Sequence, residues 1–214
     1  MFKKILLQLA ASLVIVPQAF PTAHAQQDNP DRADLVAKAY RFLEGQQNAN
    51  GSFSGETGPA ITAIISTGLL RNGIPETDPV LTRALGYLEK FVQPSGGIHQ
   101  KETFYKNYET SLSLICFATA NQGGKYENII RKADQFLKGL QTDEGSADPS
   151  DVEFGGIGYG KHQRPDLSNT STLVDALKAA GNGADSEAMK RALAFISRCQ
   201  NLESEHNTTK FAAR

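Results

Sequence analysis

Tryptophan is absent from the 214 residues, and cysteine is reduced to two. Without tryptophan the chain lacks the strongest aromatic face for a cation. Two cysteines exclude a disulfide-dense scaffold and a four-cysteine zinc site. Cys116 and Cys199 each lie in an amphipathic helical stretch. In an oxidising compartment they could pair, and a buried free thiol is an equally ordinary core residue. His99, His162 and His206 fall in loops without the i, i+4 spacing of a metal pair. The net charge is −1, and lysine and arginine are not clustered, so no nucleic-acid groove is expected. Long apolar runs are also missing, apart from Ile5 to Val16. That run follows Lys3 and Lys4, ends at Pro17 and precedes the small residues Ala23 and Ala25. It is too short for a spanning helix with these flanks and reads as a secretory leader with an A-x-A cleavage site. We expect residues 1–25 to be a signal peptide and 26–214 a mature, soluble domain that is secreted or periplasmic. No cysteine near the cut offers a lipid attachment point, and no membrane span is expected.

What is present is a repeat, the first pattern to seek because it decides the fold. KAYRFLEGQQ from Lys38, RALGYLEKFV from Arg83, KADQFLKGLQ from Lys132 and RALAFISRCQ from Arg191 share one pattern. A basic residue and alanine are followed by an aromatic, an aliphatic and then Gln or Val. Apolar residues at i, i+3 and i+4 give each copy the stripe of an amphipathic helix. Three copies are followed by glycine-rich turns, NGSF at 50–53, GGI at 96–98 and GGIGYG at 155–160. A second helical stretch follows each turn, from Pro59, Asn107 and Asp166, with polar starts and glycine-containing ends. The unit is an αα-hairpin of about 45 to 60 residues, occurring three and a half times, which buries its apolar faces only by stacking on neighbours. The third unit is longer because LQTDEGSADPSDVEF inserts an acidic loop. Its Asp143, Glu144, Asp148, Asp151 and Glu153 lack EF-hand spacing and read as a solvated excursion.

These residues resemble the QW repeat of squalene and oxidosqualene cyclases, also called the prenyltransferase and squalene oxidase repeat. Lys38, Ala39, Phe42, Leu43, Gln47, Gly51 and Phe53 match it position for position, with Phe in place of Trp. The second copy keeps Arg83, Ala84, Tyr87, Leu88 and Gly96 but has Val92 for Gln and Ile98 for Trp. The third keeps Lys132, Ala133, Phe136, Leu137, Gln141 and Gly145, and the fourth keeps Arg191, Ala192, Phe195, Ile196 and Gln200. Ser204 stands where the fourth glycine belongs. The resemblance implies an all-α, α/α-toroid fold, with outer helices carrying the QW residues and inner helices lining a cavity. Phe42 and Leu43 are expected to pack the outer helix, Gln47 to tie its end to the turn, and Phe53 to cover the joint. A full toroid of this family has more hairpins, so a partial ring and a truncated C-terminus are expected. Uncovered helix faces at the ends of such a ring predict a homo-oligomer or poor solubility.

The chemistry that the resemblance implies is incomplete. The Asp-x-Asp-Asp acid of triterpene cyclases and the zinc-binding Asp-x-Cys of protein prenyltransferases are both missing. No nucleophile elbow, phosphate loop or dinucleotide fingerprint replaces them. We therefore expect no cofactor, metal or identifiable catalytic residue. Four polar residues at the starts of inner helices remain: Tyr108, Glu109, Asp166 and Asn169. They read as helix caps, or as groups that converge on the cavity mouth and contact a ligand. A binding or scaffold module with a hydrophobic or isoprenoid ligand, or a protein partner, is the first expectation. A terpenoid-class enzyme completed by further C-terminal repeats is the second. A polysaccharide-acting enzyme is a weaker third, since paired carboxylates are not evident.

Overall fold

The computed structural model describes residues 30–160, 163–200 and 202–208. The leader reading therefore lies outside the described residues, as does His162. Seven α-helices follow in order: α1 Pro30–Gln46, α2 Ala60–Arg71, α3 Pro79–Glu89, α4 Lys106–Thr119, α5 Glu127–Lys138, α6 Leu167–Ala179 and α7 Glu187–Cys199. Among the described residues there is no strand, only isolated bridges between Val92 and Ile98 and between Ser204 and Asn207.

Local chemistry sets the helix ends. The Asp78 side chain accepts from the Val80 N–H while Pro79 fills the first position of α3, where a missing N–H costs nothing. Asp166 caps α6 by accepting from the Asn169 N–H. Beyond α2 and α6, Gly73 and Gly181 take positive φ and return their N–H groups to Leu70 and Lys178. Helices α2, α4 and α6 form one layer, with α4 packed against both neighbours. Each then packs on the helix that follows it, giving the pairs α2/α3, α4/α5 and α6/α7. The chain is thus all-α, in the two-layer order of a partial α/α toroid.

The main core lies where these layers meet, and includes Leu85, Leu88, Leu114, Phe117, Ala133, Leu137, Leu173 and Leu177. Cys116 belongs to it as a free thiol, which burial pushes up to about 12, whereas Cys199 is free and exposed at the end of α7. A smaller cluster around Leu69, Val80 and Leu81 holds Tyr40, Leu43 and Phe53. Leu43 and Phe53 therefore take the expected places, but Phe42 does not: it is exposed. Its counterparts pack on the preceding turn. The Tyr87 hydroxyl donates to the Gly55 carbonyl, and the Phe136 ring lies 5.5 Å from the His99 ring. Among the described residues no turn precedes α1 for Phe42 to pack on.

Candidate functional site

The repeated joint is held by side chains that each serve several backbone groups. The Gln47 amide donates to the carbonyls of Gly51 and Val80, and its oxygen accepts from Arg83. Gln141 repeats this, donating to Gly155 and Ala188 and accepting from Arg191. The repeat pattern assigns the third turn glycine to Gly145, and the structure corrects this to Gly155. Gly145 sits in a local Asp143 turn on the exposed insertion. Gly155 has φ +84 and lies against the Arg191 backbone, as Gly51 lies against that of Arg83. The inserted residues have moved the glycine along the sequence without moving it in the joint.

A second tie was legible but overlooked. Thr62, Thr110 and Thr170 each accept, through Oγ1, the backbone N–H of Phe53, Ile98 or Ile157. Those three partners occupy the position of the QW aromatic. Aligning the starts of the three inner helices on the residue after Ile61, Glu109 and Asn169 would have shown the threonine column.

The four expected site residues go to different places. Glu109 is buried in the first turn of α4, accepting from the Gln100 N–H at 2.8 Å and the Thr103 hydroxyl at 3.0 Å. Burial raises its pKa above the usual carboxylate value, and those two bonds oppose the rise. Asp166 accepts from both the backbone and the side-chain N–H of Asn169. Asn169 in turn accepts from Asn107, whose amide also donates to the Gly158 carbonyl while its oxygen accepts from Ser111. This buried network couples α4 to α6. It brings Asp166 and Asn169 together and leaves Glu109 in a separate loop clamp.

Tyr108 alone of the four is half-buried beside other aromatics. Its ring centroid is 6.5 Å from that of Tyr159, which meets Tyr105 edge-on at 5.1 Å. Such edge-to-face pairs are favoured by the ring quadrupoles. The Asn107 N–H donates to the Tyr159 carbonyl, fixing the turn of the third repeat against the start of α4. Phe104 is exposed next to Tyr105. The result is an aromatic surface at the inner-helix N-termini, whose Tyr105 and Tyr159 the site expectation did not include. Nothing in the repeat pattern pairs Tyr159 with Tyr105, because they come from different turns.

The insertion borders a cleft of about 970 Å³ lined in part by Asp148, Glu153, Arg164, Arg198 and Cys199. Four of its acids are engaged locally: Glu144 pairs with Arg191, Asp143 accepts from Gly145, Asp148 accepts from Ser150, and Asp151 accepts from the Asp148 N–H. Among the described residues no group of three or more His, Cys, Asp or Glu could hold a metal ion. Nor is any described helix long and apolar enough to cross a membrane.

No curated protein matches the chain. Residues 57–214 match the squalene-hopene cyclase C-terminal domain. That span takes in the three inner helices, three of the four repeat copies and the aromatic surface, and the chain belongs to the squalene-hopene cyclase C-terminal domain family.

Proposed function

We propose that the chain is an exported ligand-binding module, holding an apolar, isoprenoid-type molecule against Tyr105, Tyr108 and Tyr159. The observation that carries this reading is the edge-to-face aromatic cluster, exposed on one rim yet anchored by the Asn107 bond to Tyr159. Flat π faces on rigid supports bind extended apolar chains with little ordering cost. Asp166 and Asn169 act as positioning residues, since their side chains bond each other and Asn107. Glu109 holds the loop that leads to Phe104 and Tyr105.

Because tryptophan is absent and Tyr105, Tyr108 and Tyr159 are three of the six tyrosines, the part of the tyrosine emission that Tyr105→Ala and Tyr159→Ala remove reports on this site. Titration with farnesol or squalene in detergent should perturb that emission saturably, and Tyr159→Ala should weaken binding roughly five- to tenfold. Binding unaffected by Tyr105→Ala and Tyr159→Ala together would overturn the assignment. Family membership favours one alternative, a terpenoid-class enzyme whose catalytic residues lie outside these repeats. Turnover of squalene by the protein extended with any repeats encoded after Arg214, unaffected by changing Glu109 or Asp166, would replace the binding reading with an enzymatic one.

A further inference from the structure

Helix α4 packs on α2, α5 and α6, which occupy three of its sides. From Asn107 to Phe117 only Tyr108, Leu112 and Ile115 are more than 3 % exposed. Their i, i+4, i+7 spacing makes them one stripe, the fourth side of the helix. Tyr108 also belongs to the tyrosine cluster, so the stripe runs inward from that rim along the middle of the inner layer. The threonine column sets the register of the neighbouring helices. The places of Tyr108, Leu112 and Ile115 are held in α2 by Ala60, Ile64 and Thr67, and in α6 by Ser168, Thr172 and Asp175. Ile64 is 47 % exposed, and Ser168 and Asp175 are exposed as well. One side of this face is apolar and the other is polar.

The polar side has a definite hydrogen-bonding sense. Ser171 donates its hydroxyl proton to the Leu167 carbonyl at 2.6 Å, and Thr172 donates to that of Ser168 at 3.0 Å. A hydroxyl has one proton, so these two present only lone pairs outward. An ionised Asp175 is acceptor-only as well. Its carboxylate makes no hydrogen bond or ion pair among the described residues. Lys178 stands in the last turn of α6, where a cation complements the helix dipole. Ser168, Ser171, Thr172 and Asp175 are spaced i, i+3, i+4, i+7 and share a face, an acceptor ridge beside an apolar floor.

Resting on the reading of the tyrosine rim as the site of an apolar ligand, we infer that this ligand is an amphiphile whose head donates hydrogen bonds, a hydroxyl or ammonium group on an apolar body. The body lies on Ile64, Leu112 and Ile115 and reaches back to the tyrosines. The head meets Asp175, about 10 Å along α6 from Ser168, and therefore enters first. A pure hydrocarbon would strip water from the lone pairs and the carboxylate of the ridge and return nothing. A chain ending in carboxylate or phosphate would bring a like charge to Asp175.

The test titrates three molecules of one skeleton, farnesene, farnesol and farnesylamine, into the full-length chain in one detergent, followed by calorimetry. The alcohol or the amine should bind at least about tenfold tighter than the hydrocarbon, and Asp175→Leu should abolish that preference. Asp175→Asn removes the charge and keeps an acceptor, so it should weaken the amine more than the alcohol. Tyr105→Ala with Tyr159→Ala should weaken all three together. Equal affinity for the three, or a preference that survives Asp175→Leu, would overturn this inference and leave the tyrosine site standing. Binding of none of them would remove the tyrosine site and this inference with it. Asp175→Cys in a Cys199→Ser background should react with a water-soluble maleimide. Failure to react would show the face to be covered by another part of this chain or by a second copy, and would overturn the inference too.

Discussion

At the residue scale, single atoms decide whether a joint closes. A Cβ on Gly96 would lie 2.5 Å from the Lys132 carbonyl oxygen, and Gly155 combines a still closer approach to Arg191 with φ +84. Gly155→Ala should therefore cost at least about 2 kcal/mol in chemical denaturation, while Gly145→Ala, outside the joint, should cost little. Glu109 gives a prediction with a sign. A carboxyl whose folded pKa is raised binds its proton more tightly in the fold. Its contribution is full below the unfolded value of 4.5 and is lost as pH rises through the higher folded value. Glu109→Gln stays neutral, so its melting temperature relative to the parent chain should climb as pH passes upward through that window. A flat difference would show that the Gln100 and Thr103 bonds cancel the effect of burial, and a falling one that they outweigh it. Most residue-scale features were legible: Gly51, Gln47 and the Asp166 cap follow from turn and capping chemistry. Phe42 was not, because its own helix is regular and its exposure depends on what precedes that helix.

At the scale of elements, the threonine and glutamine ties explain how unlike turns produce like joints. Thr110→Val would leave the buried Ile98 N–H unpaired and should cost about 1 to 3 kcal/mol. Gln141→Leu removes two donated bonds and the Arg191 contact, with an expected loss of about 2 to 3 kcal/mol by urea unfolding. The second joint already lacks this tie, having Val92, and makes a backbone bridge from Val92 to Ile98 instead. The helices themselves were readable from their 3.6-residue stripes and polar starts. The aromatic surface was not, since Tyr105 and Tyr159 meet only after two turns of different length have folded against one another. Periodicity records what lies within a helix; contacts between irregular turns leave no period.

For the whole molecule, position in the stack should grade stability. Helix α4 packs on α2, α5 and α6, whereas α1 has no preceding inner helix among the described residues. Amide exchange should accordingly be slowest in α4 and fastest in α1, the pattern of a linear array of coupled units. Equal protection throughout would contradict that view. Another whole-chain constraint concerns length. The segments leading from inner to outer helices, 72–78, 120–126 and 180–186, are seven residues each. Those leading from outer to inner helices, 47–59, 90–105 and 139–166, are thirteen, sixteen and twenty-eight. The molecule thus has one gauged edge and one negotiable edge. Foreign peptides spliced into the 143–153 excursion should leave the helical spacing intact, whereas one residue added at 72–78 should throw the next helix out of phase. The negotiable edge also bears the tyrosines, so new recognition can be written there without rewriting the frame.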